Sequence, residues 1–158
     1  MGNPRLSNVS IEYLPRPLLP SAREQRVARL ASGHVLIVCG GRDYMDAERV
    51  SAALDLAHGR RAVTLLVHGA RLDEKRGELL GADRWAHEWA TESGVEIECH
   101  PAAWACWGRG AEAMRHMQMA ERGAHGCVAF PGGRGTENMV RHAVRAGIPV
   151  WRPFGSSL

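Results

Sequence analysis

The chain has 158 residues, a net charge of +3, 45% hydrophobic and 23% charged content, the profile of a one-domain globular protein rather than two domains. No apolar run approaches the ~18 residues needed to cross a bilayer, which excludes a membrane-spanning role. The small charge forms no compact basic block, so nucleic acid is not an expected partner.

Residues 1–33 read as an N-terminal appendage, punctuated by Pro4, Pro15, Pro17 and Pro20, with a short strand over Val9–Leu14 and a short helix over Ser21–Leu30. The first residues lack the apolar core and small-residue cleavage site of a secretory signal, and the expected compartment is the cytoplasm. From residue 34 to 158 the pattern is that of a single domain. Val35–Cys39 is a short apolar run, the mark of a strand buried on both faces. Gly40-Gly41 ends it, and Val50, Ala53, Leu54 and Ala57 form a helical stripe between Asp46 and His58. Ala62–Val67 is the second strand, closing at His68-Gly69. The polar stretch Arg71–Glu78 leads to a helix over Ala82–Ser93, with Trp85, Ala86 and Trp89 on one face.

Val95–Cys99 is the third strand, and a Trp-rich connection, Pro101–Gly110, precedes a helix over Ala111–Arg122. Gly126–Phe130 is the fourth strand, followed by the loop Pro131–Thr136, a helix to Ala146 and a last strand at Ile148–Trp151. Five strands alternating with helices predict an α/β fold: a Rossmann-like, doubly wound, five-stranded parallel sheet of order 3-2-1-4-5, helices on both faces. In that order the carboxyl ends of strands one and four flank the switch point where ligands of open α/β sheets bind. The two Gly-rich loops, Gly40-Gly41-Arg42-Asp43 and Pro131-Gly132-Gly133-Arg134-Gly135-Thr136, fall at those two ends.

Neither loop is a familiar cradle. A Walker loop needs a Lys, and Lys75, the one Lys among twenty basic residues, is in neither loop. The dinucleotide fingerprint fails because Asn138 stands where its third Gly belongs, and no other cofactor is called for. The loop chemistry still suits an anion: Gly132, Gly133 and Gly135 permit close backbone approach, Thr136 caps or opens a helix, and Arg134 adds a charged fork. No metal site is expected, since Cys99, His100 and Cys106 lack a second ligand pair. Cys39 and Cys127 lie in predicted strands and read as buried reduced thiols.

Pro131–Thr136 resembles the P-G-G-x-G-T signature of the SLOG superfamily, which includes the LOG-type phosphoribohydrolases. Gly40–Tyr44, Leu66–Arg71, Gly81–Asp83 with Trp85–Ala90, Pro101–Trp104 and Arg115–Met119 narrow the resemblance, over about residues 34–152, to the YspA, cpYpsA-related SLOG family. The resemblance implies a nucleotide or nucleotide-derived ligand, held as a sensor or sequestering module, and assembly as a homodimer or larger homo-oligomer. It also implies an alternative, cleavage of the N-glycosidic bond of a nucleoside 5′-monophosphate. LOG-type relatives do this with the Glu of P-G-G-x-G-T-x-x-E and a helix Arg. Here Met139 occupies the Glu position, and Glu137 would point roughly 160–200° away from it round the helix. The helix Arg is represented by Arg115, followed by His116 where the family usually has Asn, and Leu72–Leu80 is inserted before Gly81.

The expected ligand contacts are therefore Gly40, Gly41, Arg42, Asp43, His68, Gly69, Asp83, Arg115 and Pro131 to Thr136, with Arg115 and Glu137 the catalytic pair if the protein cuts. Several have structural alternatives. Asp43 and Asp83 are also candidate helix caps, His68 a satisfied structural residue and Arg115 a surface salt bridge. Trp104 and Trp107 lead toward the site, one to stack on a base and at least one to pack.

Overall fold

The computed structural model describes residues 19–155. The predicted strand over Val9–Leu14 lies outside them. Helix α1 (Ala22–Ala31) opens the described chain, capped by Ser21, whose hydroxyl accepts from the Glu24 N–H while the Glu24 carboxylate reaches back to the Ser21 N–H. Then follow β1 (Val35–Cys39), α2 (Ala47–Arg60), β2 (Leu65–His68), α3 (Gly81–Ser93) and β3 (Glu96–Cys99). The second half contains α4 (Trp104–Trp107), a 3₁₀ turn at Gly108–Gly110, α5 (Ala111–Glu121), β4 (Gly126–Ala129), α6 (Arg134–Arg145) and β5 (Val150–Trp151). The sheet is all parallel, in the order β3-β2-β1-β4-β5.

The unbroken apolar run of β1 hides an alternation. Leu36 and Val38 pack with Val50, Leu54, Ala86 and Trp89 of α2 and α3, while Val35, Ile37 and Cys39 pack with Met119, Met139 and Ala143 of α5 and α6. Period two across a central strand thus feeds two separate cores, one on each face. Each fully buried Leu or Ile here stabilises the fold by about 1.5–3 kcal/mol. Trp85 and Trp89 belong to the first core and satisfy their indole N–H groups on the Tyr44 carbonyl and the Asp55 carboxylate.

Cys39 and Cys127 are buried free thiols whose Sγ atoms lie 3.9 Å apart. Cys39 registers with Ala129 and Cys127 with Ile37, so the pair is diagonal across two strands. That offset separates their Cα atoms by about 8 Å, beyond the span of a disulfide.

Helix α1 buries no residue and is attached by polar contacts. Arg26 donates to the Ala146 carbonyl, and Arg29 donates to the Gly123 carbonyl and, through two bonds, to Glu98 on the edge strand β3. Arg122 and His100 converge on the same Glu98. Burial raises the Glu98 pKa, but the hydrogen bonds from His100 and Arg29 and the charges of Arg29 and Arg122 outweigh it, holding the carboxylate well below its usual range.

Two sequence expectations are corrected, and the inserted stretch acquires a structure that the sequence did not assign. The Trp-rich connection contains helix α4, and neither Trp104 nor Trp107 packs inside: they are 57% and 51% exposed. Helix α6 starts at Arg134, so Gly135 and Thr136 are helical rather than part of the loop, with Gly133 as the N-cap. The inserted 72–80 stretch is a tight hairpin. Leu72 bridges Leu79, the Asp73 N–H donates to the Glu78 carbonyl, and the Asp73 carboxylate accepts from the Lys75 and Arg76 N–H groups. No described helix is long and apolar enough to cross a membrane.

Candidate ligand cleft at the switch point

The two Gly-rich loops touch. The Gly41 N–H donates to the Pro131 carbonyl at 2.9 Å, and a Cβ on Gly132 would strike Thr136 Oγ1 and come within 2.6 Å of Gly41 N. On the other side Gly81, at φ +55°, presses on the Gly41 carbonyl, and the Ala82 N–H donates to that same oxygen. The loop after β1 is thereby clamped between the start of α3 and the loop before α6. Above it opens a cleft of roughly 1250 Å³. Gly41, Arg42 and Asp43 form one wall, Arg71 and the 72–80 hairpin the second, Trp104 and Glu112 the third, and Gly133 to Thr136 the fourth.

Helix α6 enters this cleft by its N-terminus without a side-chain cap. Gly133 at the cap position has no group to give, so the first-turn N–H donors and the positive end of the helix dipole face the opening. Five cations line the cleft, Arg42, Arg71, Lys75, Arg115 and Arg134, against the acids Asp43, Asp73, Glu74 and Glu112. Glu112 is engaged by Arg71 and by Arg115, and Asp73 by its own hairpin turn.

Beneath the cleft lies a pit of about 20 Å³, lined by Gly40, Gly69, Asp83, Arg115, His116, Thr136 and Met139 among others. Arg115 is not a surface ion pair: it is 6% exposed. Its Nη1 donates to the Gly69 carbonyl at 2.9 Å, and Nη2 lies 3.3 Å from both Glu112 and the His116 ring. Arg115 Nε has no partner among the described residues. His116 in turn meets the Asn138 side chain at 2.8 Å, tying α5 to α6. Burial, together with the charges of Arg115, Arg71 and His142, lowers the His116 pKa to about 4 against the Asn138 hydrogen bond, so the ring is neutral and accepts from Arg115.

Asp83 is 8% exposed and is not a helix cap. Leu80 holds the cap position of α3, and Asp83 Oδ2 accepts instead from the Arg71 N–H at 3.0 Å. Burial pushes its carboxyl pKa up, opposed by that hydrogen bond and by the charges of Arg115 and Arg71. Asp43 does not cap either, since Asp46 caps α2, and it stands exposed on the cleft wall.

Other expected contacts fall outside the lining. Glu137 is turned away and held by Arg152 through two bonds of 2.9 Å, so it faces neither cleft nor pit. Met139 faces the pit, one helical turn from Thr136, as the helical phase requires. Pro131 and Gly132 shape the loop contact from behind.

His68 is fully buried and directed at His87 of α3, with 2.9 Å between His68 Nε2 and His87 Nδ1. With Cys99 these two form the group of metal-type ligands that comes together among the described residues, rather than Cys99, His100 and Cys106. Their ligand atoms lie within 4.8 Å, yet the Ala70 N–H donates to His68 Nδ1. A neutral imidazole accepting there carries its proton on Nε2 and offers that proton to His87, not a lone pair to a metal. Burial and the nearby His87, His100 and Arg115 lower the His68 pKa to about 4. Ala70 adopts φ +50° to make this contact.

Over this geometry the sequence profile of the YspA, cpYpsA-related SLOG family matches residues 34–107. The Gene 61 protein of Mycobacterium phage D29 is 38% identical over 119 residues, 73% of this chain and 92% of that protein. The chain belongs to the YspA, cpYpsA-related SLOG family. As a SLOG chain it carries the family-matched β1 loop, the β2 end and the start of α3 on one side of the cleft. The loop before α6 and Arg115, which complete the cleft, lie beyond the matched residues.

Sequence reading missed Glu112 and His116 as cleft and pit residues and did not place Arg71 among the contacts. Arg71 was visible as the residue closing the β2 motif. Glu112 stands three residues before Arg115 on α5, a pairing that helical spacing allows, but Arg71 meets it only once α5 has packed.

Proposed function

We propose that this protein binds a nucleotide or nucleotide-derived small molecule at the switch-point cleft, as a sensor or sequestering module. The carrying observation is the uncapped N-terminus of α6, opening onto the same cleft as Arg115 and Arg134. In this reading a phosphate sits on the first-turn N–H groups of α6, and Trp104, exposed in the lining of the same cleft, stacks on the base. Gly40, Gly41, Arg42, Asp43, Gly69 and Asp83 complete the contacts. Cytoplasmic location and pairing into a homodimer belong to the same reading, the second checked by light scattering of the purified chain.

Glycosidic cleavage is the second reading, and it rests on Asp83 beside Arg115 rather than on Glu137. Met139 in the pit, where a hydrolytic relative has its Glu, favours holding over cutting. A nucleotide panel followed by thermal shift and by chromatography separates the two. A shift with unchanged ligand supports binding, released base supports cleavage, and no response to any nucleotide removes both.

A further inference from the structure

A carboxylate of the chain itself stands at the first turn of α6. Glu112 lies in the first turn of α5, and its Oε1 meets Arg71 Nη2 and, at 3.3 Å, Arg115 Nη2. The same oxygen lies beside Gly135, where an added Cβ would come within 2.6 Å of Glu112 Oε1 and 2.9 Å of Arg71 Nη2. Gly135 is the second residue of α6, whose N-cap, Gly133, offers no side chain. One oxygen is therefore surrounded by two guanidinium groups and the positive end of a helix, the features that favour a phosphate oxygen.

The surroundings explain both why Glu112 rests there and how it can leave. Arg115 is 6% exposed, and a guanidinium so buried needs an anion beside it. Asp83, the other buried acid nearby, commits Oδ2 to the Arg71 N–H and lines the pit beneath rather than the cleft. Glu112 is the acid that meets both arginines from the cleft side, and its side chain remains 30% exposed. An ion pair open to water on one side is cheaper to part than a fully buried one. Helix α5 also lacks a side-chain cap, with Gly110 at its N-cap. A Glu112 carboxylate turned off the arginines thus keeps the favourable field of its own helix terminus.

We infer that Glu112 is an internal competitor for the anion seat: it neutralises Arg71 and Arg115 in the free protein, and a ligand phosphate takes the seat by displacing it. This inference rests on the binding reading above and adds what limits affinity at that site. Phosphate binding becomes an exchange of one anion for another, so Glu112 weakens it. A Glu112 that braced Arg115 or touched the ligand would have the opposite effect on removal.

The first arm titrates the full chain and Glu112→Gln calorimetrically with the four ribonucleoside 5′-monophosphates in a chloride buffer. The nucleotide that the native chain binds best should bind Glu112→Gln about tenfold more tightly, because its charge-assisted bonds to the arginines are no longer contested. Glu74→Gln removes the same charge from the hairpin wall of the cleft and should change affinity by less than about threefold. Unchanged or weaker binding in Glu112→Gln, or an equal gain in Glu74→Gln, overturns the proposal and leaves the binding reading standing.

The second arm needs no nucleotide. Glu112→Ala should melt below the native chain in chloride, and about 10 mM inorganic phosphate should raise its melting temperature by about 3 °C more than it raises the native value. If Glu112→Ala fails to fold, the phosphate comparison is made on Glu112→Gln. Equal phosphate shifts in variant and native chain overturn the internal competitor. A phosphate shift confined to the variant, with no nucleotide bound by any form, keeps the competitor and removes the nucleotide reading.

Discussion

The N–H of Gly41 and the carbonyl of Pro131, 2.9 Å apart, join two loops separated by ninety positions into one surface. Each loop ends a central strand, and the bond fixes the α6 N-terminus relative to the start of α3. Gly132 guards this contact, because any side chain there meets Thr136 Oγ1 and Gly41 N. Gly132→Ala is expected to destabilise the fold by about 1–3 kcal/mol, as overpacking does, and to remove nucleotide-induced stabilisation. Thermal unfolding with and without ligand reads both effects. A variant that unfolds like the native chain and keeps its ligand shift contradicts the loop-clamp account.

Arg115 is expected to dominate binding. Arg115→Ala removes a buried charge together with its Gly69 and Glu112 contacts, and should weaken ligand binding by about 2–4 kcal/mol. Arg115→Lys keeps the charge but loses the fork, so it should restore only part of that loss. Calorimetric titration of both variants against one nucleotide measures the difference.

Stability should fall on mild acidification. His68 and His116 are both held near a pKa of about 4 by burial. An ordinary value near 6.5 in the unfolded chain means that the unfolded state binds more protons between pH 6.5 and 4. The contribution of these two histidines is therefore full above pH 6.5, declines as pH falls through that window, and levels off near pH 4. The upper bound is roughly 3 kcal/mol per histidine. The depressed Glu98 acts at lower pH, its contribution being present above its unfolded value and lost on acidification below it. Melting temperatures at pH 7, 5.5 and 4.5 should trace the decline, and His116→Asn should flatten it.

Glu137 is expected to be dispensable to the site. Its carboxylate is held by Arg152, whose hydrogen bonds lower its pKa, and the pair sits at the surface. Glu137→Gln should cost less than about 1 kcal/mol of stability and leave nucleotide binding unchanged. Loss of binding in this variant would return Glu137 to the site.

The attachment of α1 depends on arginines rather than on a buried face. Arg29→Ala removes its contacts to Glu98 and Gly123 together. Limited proteolysis should then cut between α1 and β1 much faster than in the native chain, while the sheet domain persists as a resistant fragment.

The sequence carried the architecture well because strands buried on both faces announce themselves as short apolar runs, as Val35–Cys39 does. The order of the sheet followed from handedness, and the two Gly-rich loops followed from the order. Helical phase was also readable: Thr136 and Met139 share a face, and Glu137 does not. The misses have a common cause. Asp83 has the position of a cap, and only the fold shows Arg71 delivering its N–H from the preceding loop. His68 ends its strand beside the cleft, but strand alternation sends it toward His87. Trp104 and Trp107 suggest packing by composition, whereas α4 buries none of its residues and leaves both half-bare.

The hairpin over 72–80 closes on itself at its base, where the Leu80 N–H donates to the Arg71 carbonyl. Its turn is held by its own Asp73, and it gives no strand to the sheet. The outer wall of the cleft is thus an exchangeable part. It can be shortened, lengthened or replaced without disturbing either core, and with it the width of the cleft can change while the N-terminus of α6 stays where it is.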